Sequence, residues 1–276
     1  MPAGLEVRAR AFLSGQVEPA PTRDAATVAL VRDGAAGLEV LLLRRVATMA
    51  FAAGMHVFPG GRVDPADADP GTAWSGPDPD WFGQRLGCPA ETARALVCAA
   101  VRETFEECGV LLAEPADAAG GPDAPEHDWE AQRTALLQRQ ATLGGLLARR
   151  GLAVGAGLLR PLAHWITPEF EPRRYDTRFF LARLPDGQRA RHVGGEAAQT
   201  GWLRPQEALD RHAAGQMAML PPTVDVLAVL SGVPDVAAAF TLETPIVALL
   251  PRPVLDAQGR LLLDVRPRAD PVGPNR

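Results

Sequence analysis

Apolar residues follow two rhythms along this chain. Residues 25–32 (AATVALVR) and 38–44 (LEVLLLR) are short apolar runs that read as a strand and its partner. Asp33-Gly34 between them supplies the turn chemistry of a hairpin. Residues 55–58, 162–167, 176–184 and 196–203 read as further strands. Residues 90–108 change rhythm: Ala93, Leu96, Val97, Ala100 and Val101 recur at helical spacing, and Gly109 follows as a stop. Residues 129–150 predict a second helix, weakened at Gly144-Gly145. Residues 204–214 and 223–231 predict two more, with Pro205 suited to a first turn.

Between these elements the texture is different. Residues 64–89 and 114–128 are rich in Asp, Pro, Gly and Ala without periodicity, and read as inserted loops. Residues 1–24 read as a loosely attached lead-in. The main domain is expected over 25–220, with additions at about 68–95 and 114–150. A C-terminal extension, 221–276, should pack on it through a helix, then short β-like pieces around Gln258-Gly259. Strands and helices mix without a βαβ rhythm, so the predicted class is α+β.

Composition narrows the function. The 276 residues carry a net charge of −5 and are 47% hydrophobic. That excludes wholesale disorder and gives no support to a nucleic-acid binder. No apolar run reaches the roughly 18 residues of a membrane helix, and residues 1–15 have no signal-peptide pattern. There is no Lys, so all 28 Lys+Arg positions are Arg and lysine chemistry is excluded. Three Cys (Cys88, Cys98, Cys108) are an odd set without metal-type spacing, as expected of a reduced, cytoplasmic chain.

The chemistry concentrates in two places: Gly60-Gly61, and the run from Arg102 to Val110 (RETFEECGV). On a helix, Arg102, Glu103, Glu106 and Glu107 fall within an arc of roughly 140°. Three carboxylates near a helix C-terminus repel one another and the macrodipole. Arg102 offsets one charge, and a hard divalent cation such as Mg²⁺ is suited to the rest. The plain alternative is a solvated acidic face.

These residues resemble the box of the Nudix hydrolase family: Gly, five residues, Glu, seven residues, then Arg-Glu-apolar-any-Glu-Glu-any-Gly-apolar. Residues 102–110 match the right half, with Thr104 where an aliphatic residue is usual. Gly61 matches the left half, but Asp67 stands in place of Glu, and 34 residues separate it from Arg102. That interruption is similar to the split-box subgroup that includes the mammalian peroxisomal coenzyme A diphosphatase. Residues 58–61, 98–112, 165–168, 174–181 and 219–222 also resemble that subgroup.

The resemblance implies a Nudix α/β/α sandwich with a mixed sheet, and cleavage of a nucleoside diphosphate linked to another group, using Mg²⁺ or Mn²⁺. By the same match, Glu106 and Glu107 are the expected metal ligands, with the Gly60 carbonyl and Glu103 beside them. Glu103 is alternatively the group that orients water, and Arg102 holds a glutamate in place. Gly61, Asp67 and Gly109 support the box. Glu196 stands six residues before Trp202, where the family often has a further catalytic carboxylate. Arg174, Arg178 and Phe58 are candidate substrate contacts. His56, beside the Gly-Gly turn, is expected to be structural. The implied partner is a small nucleotide, most specifically coenzyme A or an acyl derivative. ADP-ribose, NADH and nucleoside triphosphates stay open. So do a homodimer and a non-catalytic ligand-binding module.

Overall fold

The computed structural model describes residues 3–46, 53–116, 126–191, 197–243 and 245–267. Its first elements are α1 (Ala3–Leu13), β1 (Thr22–Gly34), β2 (Gly37–Arg45), β3 (His56–Val57) and β4 (Gly60–Arg62). The first addition contributes a 3₁₀ turn at Pro65–Ala68, β5 (Trp74–Ser75) and α2 (Pro79–Leu86). The box helix α3 (Ala90–Cys108) follows, then β6 (Ala113–Pro115), α4 (Glu126–Leu137), α5 (Leu143–Arg150) and β7 (Leu152–Gly155). The chain continues through β8 (Leu159–Ile166), β9 (Arg174–Arg183), β10 (Ala197–Leu203), α6 (Pro205–Ala213), α7 (Pro221–Ser231), α8 (Val236–Ala239), β11 (Ala248–Leu255) and β12 (Leu261–Pro267).

The main sheet runs β10-β2-β1-β9-β8-β11-β12, with β3 on β2 and β4 on β1. It is mixed: β1 lies parallel to β9, and β11 to β8. Alternation explains the continuous apolar runs. Val28, Leu30, Leu41, Leu43 and Phe180 face the cluster under α2, α3 and α5. Ala29, Val31, Val40, Leu42 and Leu181 face the cluster under α6 and α7. Helices thus cover both faces of the sheet, and the class is α+β, as expected.

Three sequence expectations are corrected. The 64–89 segment is not a loop. Asp78 caps α2 through the Trp81 N–H at 2.7 Å, Pro79 opens it and Gly87 closes it in a left-handed conformation. Phe82, fully buried, packs against Trp74, Trp81 and Phe180. The 129–150 helix does break, but at Arg139–Thr142 rather than at Gly144-Gly145. Thr142 caps α5, and a Cβ on Gly144 would meet the Thr72 hydroxyl at 2.5 Å. That glycine pair therefore serves packing. Third, the lead-in is anchored: Ala9 of α1 is buried with Phe170 and Leu261, and Arg8 pairs with Glu171 at 2.9 Å.

The two additions fold on each other. β5 from the first and β6 and β7, the strands at either end of the second, form a separate three-stranded sheet, β5-β7-β6. Ser75 donates to Glu114 across it. The C-terminal extension supplies a hairpin as well as helices, and β11 joins the main sheet through Ala248 and Leu249. Among the described residues no helix is long and apolar enough to cross a membrane.

Candidate active site

The Gly-Gly turn is wedged between β1 and α3. Gly60 pairs with Thr27, and a Cβ there would lie 2.5 Å from the Ala26 carbonyl oxygen and 2.7 Å from Thr27 Cα. A Cβ on Gly61 would instead strike the Glu103 carboxylate at 2.6 Å. The two substitutions should separate. Gly60→Ala meets backbone that cannot yield and should cost about 1–3 kcal/mol of stability. Gly61→Ala meets the tip of a flexible side chain and should change stability by about 1 kcal/mol or less, while displacing Glu103 and lowering kcat. Thermal denaturation beside turnover checks both; a stable, fully active Gly61→Ala would contradict this account of Glu103.

Arg102 organises the acidic face. Its Nε and Nη2 donate to the Asp67 carboxylate at 3.0 and 2.9 Å, and Nη2 also to the Arg62 carbonyl at 2.9 Å. Its Nη1 donates to Glu103 at 2.8 Å and reaches Glu106 at 3.4 Å. Asp67, 2% exposed, is set by the 3₁₀ turn, where it accepts the Asp64 N–H at 2.8 Å in a capping box. The turn brings the shorter Asp side chain within reach of Arg102 despite the interruption. Glu107 accepts the Gly60 N–H at 3.0 Å. Gly109 closes α3 in a left-handed conformation, and buried Thr104 satisfies its hydroxyl on the Ala100 carbonyl.

Burial pushes Glu103 up to about 7 against the pull of Arg102, and it raises Glu106 as well. Three carboxylates (Asp67, Glu103, Glu106) share the Arg102 guanidinium, and Glu107 adds a fourth to the same cavity wall. As they stand, no three acidic, His or Cys side chains among the described residues converge into a metal centre. Glu103 and Glu106 turn to Arg102, and Glu107 turns to Gly60. The donor set is nonetheless all oxygen and over-rich in negative charge, which fits a hard cation such as Mg²⁺ or Mn²⁺. Glu106 and Glu107 would turn from these partners to hold it.

A pH dependence follows. The folded protein keeps a proton on Glu103 that the unfolded chain releases at an ordinary carboxylate pKa. Stability of the metal-free protein should therefore fall as pH rises from about 4.5 through about 7. Glu103→Gln should flatten that slope. Thermal melts from pH 5 to 8 check it, and an unchanged slope in the variant would contradict it.

One cavity of about 970 Å³ joins this acidic face to other parts of the chain. Phe58, buried, lines it, as do Trp165 and Phe179. The expected substrate contacts at Arg174 and Arg178 are corrected. Arg174 donates to the carbonyls of Thr167 and Ala20, and Arg178 is 2% exposed and bonded to Asp176, itself 2.6 Å from His164. Neither lines the cavity. Strand alternation puts Arg178 on the opposite side of β9 from Thr177 and Phe179, which do. His56 does not line it either, and its Nδ1 is buried without a hydrogen-bond partner among the described residues. Glu196 lies outside the described residues.

Spacing gave no sign of other lining residues. Arg45, Arg62 and Arg139 supply cations. Leu5 of α1, Ile166, Pro168, Pro251 and Leu263 form an apolar arm. Of these, Leu5 and the pair Pro251 and Leu263 come from opposite ends of the chain and meet at the end of β8.

A mixed sheet between helices, a Gly-Gly turn and an Arg-anchored acidic helix are together the hallmarks of a Nudix domain. The sequence profile of the NUDT19 Nudix domain matches residues 81–230, more than half of the chain. The chain belongs to that family. It is 28% identical over 228 residues to the acyl-coenzyme A diphosphatase NUDT19 of Gallus gallus, and 29% identical over 222 residues to that of Homo sapiens. Each alignment covers 68% of this chain, and the chain spans only 60% and 59% of those relatives. A crystal structure of a NUDIX hydrolase from Alicyclobacillus acidocaldarius is 31% identical, with a TM-score of 0.67, over 82% of this chain and 98% of that one.

Proposed function

We propose that the protein hydrolyses the diphosphate bridge of coenzyme A or acyl-coenzyme A, releasing 3′,5′-ADP and the (acyl)phosphopantetheine. The observation that carries this reading is that one cavity is lined both by the acidic helix and by the apolar residues Leu5, Ile166, Pro168, Pro251 and Leu263. Its volume lies at the upper end of ligand pockets. A nucleoside diphosphate at the acidic wall leaves room for a long chain toward Leu5, Pro251 and Leu263. ADP-ribose, NADH and nucleoside triphosphates carry no such chain. The relatives named acyl-coenzyme A diphosphatase support the same substrate.

Water adds across the P–O–P bridge: its oxygen bonds to one phosphorus, and the other phosphate leaves with the bridging oxygen. A divalent ion held by Glu106 and Glu107, with Glu103 beside them, would screen the phosphate charge and acidify the attacking water. The chain's own residues do the positioning. Arg102 fixes α3 to the turn that carries Asp67 and restrains Glu103. Glu103 is the proposed proton acceptor, because it lines the cavity beside the proposed metal ligands and is held there by Arg102.

The test is a product-resolved assay on coenzyme A, its acetyl and long-chain acyl derivatives, ADP-ribose, NADH and nucleoside triphosphates. The expected result is 3′,5′-ADP from coenzyme A, with kcat/KM rising with acyl length. Turnover of ADP-ribose or NADH without coenzyme A would move the specificity. No turnover of any substrate with metal supplied would favour a binding module.

A further inference from the structure

Among the described residues, six helices end on a left-handed residue. Five use glycine: Gly15 after α1, Gly87 after α2, Gly109 after α3, Gly151 after α5 and Gly215 after α6, at φ between 62° and 75°. The sixth is Arg139, just past the end of α4, at φ 56°; among the described residues it is the one non-glycine with positive φ. The cap itself is regular, with the Gln140 N–H returning to the Ala135 carbonyl at 2.8 Å. Glycine would adopt that conformation without steric cost, and arginine does not.

The side chain at that position lines the cavity that holds the acidic helix. It is 72% exposed, and its ionic contact is Asp64 at 3.7 Å, beyond hydrogen-bonding distance. Arg102, by contrast, spends its donors on Asp67, Arg62 and Glu103. Attraction to the helix C-terminus, to Asp64 and, at longer range, to Glu106 is that of an exposed charge, which is small. It can balance the backbone cost, but it leaves the guanidinium without a hydrogen-bond acceptor among the described residues. A planar fork of donors lining the same cavity as Glu103, Glu106 and Glu107 suits phosphoryl oxygens held there.

We propose that Arg139, carried to the cavity by the second addition, binds a phosphoryl group of the nucleotide substrate. This rests on the reading of the cavity as a nucleotide diphosphate site.

The test uses Arg139→Gly and Arg139→Gln in the full chain. Arg139→Gly should melt at or above the wild-type temperature, because glycine suits the cap. Both variants should raise KM for coenzyme A by about tenfold to a hundredfold, the worth of a charge-assisted hydrogen bond, with kcat within about threefold. Assays with 3′-dephospho-coenzyme A locate the contact. A KM rise on both substrates assigns Arg139 to the diphosphate, and a rise on coenzyme A alone assigns it to the 3′-phosphate. KM within twofold of wild type on both substrates overturns the inference. Calorimetric titration with 3′,5′-ADP reads the same contact without turnover. Wild-type activity with unchanged variants would sink only the role of Arg139. Absence of both coenzyme A turnover and 3′,5′-ADP binding in the wild type would sink the functional reading with it.

Discussion

Glu106→Gln should lower kcat on coenzyme A by about a thousandfold. The change keeps the shape of the side chain and removes one negative charge. Charge stabilisation by a metal ion in phosphoryl chemistry amounts to several kcal/mol, and about 4 kcal/mol is a factor of a thousand. Stability should hardly fall. Glu106 sits in an over-acidic cluster where burial already disfavours its charge, and its Arg102 contact is long at 3.4 Å. Glu107→Gln should behave alike on activity. Extra Mn²⁺ should recover part of the loss in either variant. Stopped assays across a metal titration, beside thermal melts, make the check. A loss below about tenfold at saturating metal would remove these residues from the metal site.

Asp176→Asn should unfold the protein more easily than any change in the acidic cluster. Asp176 and Arg178 form a buried pair on β9, with His164 of β8 on the same carboxylate. Burial pushes Asp176 up, but the His164 hydrogen bond and the Arg178 charge outweigh it and hold the carboxyl below its usual range. Removing one partner leaves the other charge buried and unpaired, a loss of about 3–5 kcal/mol. In a chain this long that corresponds to roughly 10 °C in Tm. Replacing both residues by apolar ones, Asp176→Leu with Arg178→Met, should cost much less than the single change. The depressed acid also sets a pH sign. Its stabilisation is present above the ordinary Asp pKa of 3.8 and is lost as pH falls through the lower folded value. Denaturant unfolding of the two variants beside the wild type tests the pair. A single substitution that costs under about 1 kcal/mol would contradict it.

Local signals carried well where one rhythm dominates. The predicted helix over 90–108 coincides with α3, because its apolar spacing and its Gly109 stop agree. The β1–β2 hairpin was legible for the same reason, although its turn lies at Ala35-Ala36 and Asp33 instead accepts the Val236 N–H at the start of α8, whose cap is Asp235. The additions were misread because their helix signals sit among Pro, Asp and Gly. Asp78-Pro79 and Gly87 are a start and a stop, but only the burial of Phe82 in the common core makes α2 worth forming. The break after α4 had no breaker in sequence, since an arginine occupies the glycine conformation there.

The site divides the same way. Arg102, Glu103, Glu106 and Glu107 share one helix, so spacing alone brings them together. Asp67 reaches Arg102 across 34 intervening residues, and only the capped turn at Pro65–Ala68 makes that possible. Arg178 misled because sequence gives no face. One step along β9 moves a side chain from the cavity into the buried Asp176–His164 cluster. The apolar arm was invisible, since Leu5 and Leu263 come from opposite ends of the chain.

The most direct test of a metal-dependent diphosphatase is the appearance of product on restoring metal to the stripped protein. Protein freed of metal by chelation is mixed with coenzyme A, and 3′,5′-ADP and 4′-phosphopantetheine are quantified before and after adding Mg²⁺ or Mn²⁺. The account predicts no product before addition, and both products in equal amounts afterwards. Equal rates with and without metal, or intact coenzyme A in a folded, metal-loaded protein, would contradict it.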